Sequence, residues 1–279
     1  IHTPDAPDTP DTPNTPDTPD APKVPTPTGA PDLSSIKATI PKHLVSAITA
    51  GAGTRENPFQ TDNVEAAAFL LGHDHHVQLQ SKDQVATLLG ELQNRVRTLK
   101  EAGANTPNFD LCKVTVPGTN LFCVESKGIP RIKMPQLGGV PLPGSKADAL
   151  PKNDRGEVDL SAAFIEHLRG KGVDVAEGKV VPADRLKASQ IELNGTKIVG
   201  MMGALAAGTL PPGAIFTSRD HYVVDGHHRW AANVGESYVE GQPFDMPTNE
   251  IDMDIIPLLA EANAFALDMG IPQAGVGDM

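Results

Sequence analysis

The sequence predicts a mixed α+β protein in three parts: an extended tail over 1–32, a mainly helical and hairpin region over 33–178, and a compact domain over 179–279. Three observations support this prediction. Proline recurs at every third position near the start of the chain. Apolar residues recur at helical spacing between Val85 and Leu99. From residue 179 onward, short β-branched runs alternate with helical patterns, which indicates strands and helices in one domain.

The tail carries proline without interruption at every third position from Pro4 to Pro25. Proline restricts φ and donates no backbone hydrogen bond, and polyproline II has three residues per turn. We therefore expect a stiff, acidic polyproline II rod, and the favoured interpretation is a spacer. The alternative is a stalk that carries O-linked sugars or docks onto a neighbouring copy of the chain.

The composition limits the classes of partner. A formal net charge of −12 argues against general nucleic-acid binding, which needs a basic surface. No run of about 18 apolar residues occurs, so we expect no membrane span. The chain starts at Ile1 and shows no hydrophobic leader, so either a signal peptide has been removed or the sequence has been trimmed. The former, together with the tail, predicts an extracellular or periplasmic protein.

The two cysteines, Cys112 and Cys123, flank the Pro117-Gly118 pair, and apolar residues alternate on both sides of it. This pattern predicts a hairpin that brings the sulfurs together, and in an oxidising compartment they would form a disulfide. Two buried free thiols are the alternative. The spacing by itself is not typical of a zinc site.

The region 33–178 contains helix candidates at 63–72, 82–102 and 161–170, while 106–153 is rich in Pro and Gly and predicts hairpins and loops. The stretch from His73 to His76 holds three imidazoles and one carboxylate, a combination that suits a transition metal. It also follows the end of a predicted helix, where histidines interact well with the helix dipole. We favour the second reading and predict no metal site.

The last 101 residues predict a strand and turn at 179–190, a helix at 194–208, and a hairpin of 213–217 with 222–224. A helix from Ala231, a strand at 250–256 and a helix at 257–269 follow. At the centre of this domain the valine pair before Asp225 runs into Gly226, His227, His228 and Arg229. This pattern predicts a strand, a tight turn and a helix N-terminus. The N-terminus of a helix attracts anions, and the cationic side chains beside it predict a phosphate or sulfate site.

Residues 179–235 resemble the ParB/sulfiredoxin-like fold. The residues that carry the resemblance are Val181, Leu186 and Gln190, the helix that stops at Gly208, the run from Leu210 to Phe216, and the run from Tyr222 to Ala232. Members of that fold bind nucleotide phosphates at the turn that begins with glycine. Partitioning proteins have Gly-Glu-Arg-Arg there, sulfiredoxins have Gly-Cys-His-Arg, and free-serine kinases of the fold have an Asp-Gly-His-His-Arg run like this one.

The resemblance implies a nucleotide, with a divalent cation, as the cofactor to consider. His227 stands where sulfiredoxins have cysteine, which excludes thiol chemistry, and no helix-turn-helix follows, so a nucleic-acid partner is not expected. The catalytic candidates are Asp225 and His228. The candidate phosphate-binding residues are Gly226, His227, His228, Arg229 and Gln190. Each has a structural alternative: turn formation for the aspartate, a core or capping role for the histidines, and a surface salt bridge for the arginine.

Two functions follow from these patterns. The first is an exported protein that binds a phosphate-bearing ligand, with nucleotide hydrolysis, phosphotransfer or nuclease-type cleavage as candidate reactions. The second is a non-catalytic subunit of an extracellular filament or surface assembly, in which the tail mediates self-association or carries sugars.

Overall fold

A computed structural model describes residues 29–104, 109–117, 122, 128–242 and 244–275. The helices are α1 (Lys42–Val45), α2 (Val64–Gly72), α3 (Lys82–Glu101), α4 (Ser161–Gly170), α5 (Gly195–Ala206), α6 (His227–Glu240) and α7 (Ile255–Met269). The strands are β1 (Phe59–Gln60), β2 (Val77–Gln78), β3 (Val114–Thr115), β4 (Gly138–Gly139), β5 (Val158–Asp159), β6 (Val175–Pro182), β7 (Lys187–Ala188), β8 (Ile215–Ser218), β9 (Tyr222–Asp225) and β10 (Asp245–Ile251). The predicted mixed α+β class is confirmed.

The main sheet has five strands in the order β6-β10-β8-β9-β7. β10 pairs antiparallel with β6 and parallel with β8, while β9 pairs antiparallel with β8 and parallel with β7. The hairpin of β8 and β9 is therefore the one that the sequence predicts. A parallel sheet β1-β2-β3 and an antiparallel pair β4-β5 lie outside the main sheet.

Helices cover both faces of the main sheet. Neighbouring residues of a strand point to opposite faces, so the central strands contribute to two hydrophobic cores. Ile215 and Val223 are buried in a core that also contains residues of α2, α3, α5 and α6. Phe216 and Val224, one residue further along each strand, are buried in a second core with α4 and α7. Both cores combine residues from before and after position 178, so the helical region and the sheet share their hydrophobic interior.

Three predicted helices begin where their capping residues indicate. The Asn63 side chain accepts a hydrogen bond from the Ala66 N–H at the start of α2. Ser81 and Gln84 form a reciprocal capping box at the start of α3. The Asn194 side chain caps α5 by accepting from the Lys197 N–H. These local hydrogen bonds explain why the sequence locates the helix starts closely.

The boundary near the end of the chain differs from the prediction. The alternating run at 250–256 predicts a strand, but β10 ends at Ile251, and α7 already begins at Ile255. Ile255 donates its backbone N–H to the Asp220 carboxylate at 3.0 Å, a contact from a distant part of the chain. Pro257 lies in the first turn of α7, where its missing N–H costs no helical hydrogen bond.

Two further predictions, the Cys112–Cys123 disulfide and the polyproline tail, involve residues that the structure does not describe. Cys112 lies in a short 3₁₀ helix, Leu111–Lys113, and β3 pairs with β2 in parallel. Its predicted disulfide partner, Cys123, lies outside the described residues, as does the tail up to residue 28. The disulfide and the polyproline rod therefore stay predictions. Within the part of the chain that is described, no helix is long and apolar enough to cross a membrane.

Candidate functional site

The turn between β9 and α6 requires glycine. Gly226 has a φ of 95°, in the left-handed region that L side chains rarely adopt. A Cβ atom there would lie 2.3 Å from the Ile215 Cγ2 atom. Gly226 is also the N-cap of α6 and offers no side-chain hydrogen bond to the first turn. The helix begins at His227, four residues earlier than the predicted start at Ala231. Because glycine has no side chain, no N-cap side chain accepts a hydrogen bond from the first N–H groups of the helix.

The N-terminus of α6 opens into a cavity of about 230 Å³. All six residues that the sequence nominates for the site line this cavity: Gln190, Asp225, Gly226, His227, His228 and Arg229. Arg131 and Lys197, which the sequence analysis does not nominate, line it as well. The structure thus brings the whole predicted set together and adds two cations to it.

His227 is a buried hydrogen-bond acceptor. Its Nε2 atom accepts from the backbone N–H groups of Ser189 and Gln190, at 3.2 and 3.1 Å, and lies 3.1 Å from the Ser189 hydroxyl. Burial, followed by repulsion from His228 and Arg131, lowers the pKa of His227 to about 3. His227 is therefore neutral at pH 7, and its Nε2 atom holds the segment after β7 against α6.

His228 is likewise a neutral hydrogen-bond acceptor. Its Nε2 atom accepts a hydrogen bond from the backbone N–H of Asn194 at 2.9 Å. Burial, followed by the positive charges of Lys197 and Arg131, lowers the pKa of His228 to about 3. Because Nε2 is an acceptor, the proton of the neutral ring is on Nδ1. His228 thus contributes no positive charge at neutral pH.

Arg229 keeps most of its donors available. Its Nη1 atom donates to the Pro211 carbonyl oxygen at 2.7 Å, which places the guanidinium beside Gly213. Arg229 forms no ion pair with a carboxylate among the residues described. The surface salt bridge, which was the structural alternative for this side chain, is therefore absent from that part of the chain. A guanidinium has five N–H donors, and those that the Pro211 carbonyl does not use can contact a ligand in the cavity.

Arg131 and Lys197 reach the cavity from distant parts of the chain. Arg131 lies in a 3₁₀ helix, Arg131–Lys133. The Arg131 backbone N–H donates to the Glu192 carboxylate at 2.6 Å, which anchors the start of this helix. Lys197 lies in the first turn of α5, and within the described chain its ammonium group makes no ion pair. Burial, then repulsion from Arg131 and Arg155, lowers the Lys197 pKa. Neither residue belongs to a motif, so only the fold identifies them.

Asp225 and Gln190 complete the polar lining. Burial raises the pKa of the Asp225 carboxyl, whereas the hydrogen bond from the Gly226 backbone and the Arg131 charge oppose that rise. The Gln190 side-chain amide donates to the Glu192 carbonyl oxygen. Asp225 is the one acidic side chain in the described lining of the cavity.

The histidine-rich stretch after α2 does not converge on a metal site. The His73 Nδ1 atom donates to the Phe69 carbonyl oxygen at 2.9 Å, as expected for a histidine at a helix C-terminus. His75 packs its ring edgewise against Phe59. Across the described residues, no group of three or more His, Cys, Asp or Glu side chains is arranged to hold a metal ion.

Comparisons of the chain with protein-family models, with curated proteins and with solved structures found no match. The ParB/sulfiredoxin-like resemblance of residues 179–235 therefore stays a prediction.

Proposed function

We propose that the cavity at the start of α6 binds the phosphate group of a small ligand. The observation that carries this proposal is the meeting of an uncapped helix N-terminus with Arg131, Lys197 and Arg229 in one cavity. Backbone N–H groups and the positive end of the helix dipole favour a bound anion. The guanidinium groups match phosphate oxygens in shape and charge.

The balance of charge in the cavity supports an anionic ligand. Among the described residues that line the cavity, three cationic side chains face one carboxylate, Asp225, and both histidines are neutral at pH 7 because of their lowered pKa values. The lowered pKa of Lys197 reflects burial and the cations around it. A phosphate in the cavity would offset this repulsion.

If the site is catalytic, Asp225 is the group that would transfer a proton. Its raised pKa moves it toward the range in which a carboxyl both accepts and donates protons. The Nε2 atom of His228 is occupied by the Asn194 N–H, so His228 would support the site as a positioning residue. If the ligand is a nucleotide with a divalent cation, Asp225 is the carboxylate that could coordinate the cation. The nucleotide phosphates and water would supply the remaining coordinating oxygens.

Calorimetric titration of the full chain with inorganic phosphate, at low and moderate salt, tests the proposal. We expect saturable binding that weakens as salt rises, because the contacts are ionic. Lys197→Ala should weaken binding by about tenfold or more, the usual effect of losing a charged hydrogen bond. Lys37→Ala is the matched control, since Lys37 is exposed and remote from the cavity in sequence.

Absence of saturable binding, or an equal loss in the Lys197 and Lys37 variants, would contradict the proposal. Arg229→Lys gives a second measurement that preserves charge. It should retain part of the affinity, since a lysine supplies the charge but not the two-pronged geometry of arginine.

The alternative of an extracellular assembly depends on the tail, and residues 1–28 lie outside the described chain. It stays a prediction from the period-three repeat. Size-exclusion chromatography with and without residues 1–32 tests it, because an assembly that needs the tail should dissociate when the tail is removed.

A further inference from the structure

We infer, building on the proposed phosphate site, that the ligand is a monophosphate ester of a polyhydroxylated compound, such as a sugar phosphate. The cavity that would hold the phosphate opens into a groove of about 1070 Å³. Arg131, Lys197 and Asp225 line both spaces and so mark the junction between them. A ligand with its phosphate on α6 would extend its remaining part into the groove.

The groove differs from the cavity in its charge. Lys152, which lines the groove, pairs with Asp148 at 3.0 Å, and Glu157, which also lines it, pairs with Arg155 at 2.9 Å. These two cations are thus balanced by carboxylates, whereas Lys197 at the junction forms no ion pair in the described structure. The excess positive charge lies at the inner cavity. This distribution fits a ligand with one anionic group and an uncharged, polar remainder.

The groove also offers hydrogen-bonding groups that suit hydroxyls. Asp159 accepts the Ser161 backbone N–H with one carboxylate oxygen at 2.8 Å, which leaves the other oxygen for a ligand. The Ser161 hydroxyl makes no hydrogen bond with the described protein and lines the same groove. Carboxylates commonly accept hydrogen bonds from sugar hydroxyls.

The lining offers little to a nucleobase. Among the described residues that line the groove and the cavity, none is Phe, Tyr or Trp. Bases in protein sites commonly stack on such side chains, and also on His and Arg. Here the two histidines lie in the inner cavity with their Nε2 atoms bonded to the backbone, and Arg131 is the one His or Arg side chain in the described lining of the groove. Proteins of the fold that this sequence resembles take nucleotides, and the lining here points to a different ligand body.

Calorimetry with a panel of phosphates on the full chain tests the inference. The panel holds inorganic phosphate, glycerol 3-phosphate, ribose 5-phosphate, the 6-phosphates of glucose, fructose and mannose, and cytidine and adenosine monophosphates. At least one sugar phosphate should bind about tenfold more tightly than inorganic phosphate, the gain expected from one or two additional hydrogen bonds. The nucleoside monophosphates should gain less than that sugar phosphate.

Two variants separate the groove from the phosphate site. Ser161→Ala and Asp159→Asn should each reduce the affinity for the preferred sugar phosphate several-fold and leave the affinity for inorganic phosphate unchanged. Ser35→Ala, an exposed serine outside the groove, is the control. The inference is overturned if every sugar phosphate binds only as tightly as inorganic phosphate, if a nucleotide binds best, or if both groove variants behave like the control. Failure of inorganic phosphate itself to bind would instead remove the proposed function and this inference together.

Discussion

The Nε2 atom of His228 accepts a hydrogen bond from the Asn194 backbone N–H at 2.9 Å. This contact joins the N-terminal end of α6 to the N-terminal end of α5. Lys197, in the first turn of α5, and Arg229, in the first turn of α6, are thereby held at one cavity. The histidine of the motif thus contributes to the site through position rather than charge.

Removing the cap of α5 should destabilise the protein modestly. The Asn194 side chain accepts the Lys197 N–H at 2.9 Å, so Asn194→Ala leaves that donor without a protein acceptor. We expect a loss of about 1 kcal/mol in the free energy of unfolding, measured by urea denaturation. Asn194→Asp, which keeps the acceptor, should lose much less. Equal losses in the two variants would show that the cap is not the cause.

Gly226→Ala should be far more damaging than the same change at the other end of α6. The new methyl group would meet the Ile215 side chain at 2.3 Å in a left-handed backbone. We expect a loss of roughly 2–4 kcal/mol, from strain together with overpacking. Gly241 also has a positive φ, 65°, but its Cβ would contact nothing within 4 Å. Gly241→Ala should therefore cost only about 1 kcal/mol, and similar losses at both positions would contradict the close approach at Ile215.

The stability of the protein should depend on His227 in acid. Its pKa is lowered to about 3 in the folded state, against an ordinary value of 6.5. Between these values the unfolded chain binds more protons, so His227 stabilises the fold fully above pH 6.5, and this contribution is lost as the pH falls toward 3. The slope is at most about 1.4 kcal/mol per pH unit for one such group.

Comparison of wild type with His227→Gln by urea denaturation between pH 7 and pH 4 isolates this effect. Asp110 acts in the opposite direction, because burial raises its pKa to about 6 and the folded state gains protons first. That contribution is common to both proteins and cancels in the difference. The advantage of wild type over the variant should shrink as the pH falls, and a constant difference would count against a neutral, buried His227.

Trp230→Phe should lose a buried hydrogen bond. The indole N–H donates to the Ala183 carbonyl oxygen at 2.8 Å, and Trp230 is only 1% exposed. The change leaves that carbonyl without its donor and opens a small cavity, for a combined cost of about 2–3 kcal/mol. Because Trp230 is the only tryptophan, unfolding should be followed by circular dichroism. A loss below about 0.5 kcal/mol would be inconsistent with this role.

Elements with local signals could be predicted closely from the sequence. Asn63, Ser81 and Asn194 cap their helices through contacts three residues away, so their starts are evident in the chain itself. The boundary between β10 and α7 could not be predicted in the same way. It depends on the Asp220 carboxylate, which lies 35 residues before Ile255 and becomes a neighbour only through the β8–β9 hairpin.

The sequence by itself determined that a strand would pass through a tight turn at Gly226 into a helix, because glycine tolerates a left-handed backbone at a close approach, although it placed the helix start four residues too late. Only the tertiary structure decided that the two histidines would be neutral acceptors and that Arg131 and Lys197 would supply the charge. Backbone conformation follows from neighbours along the chain, whereas burial and charge at a site depend on segments that folding brings together.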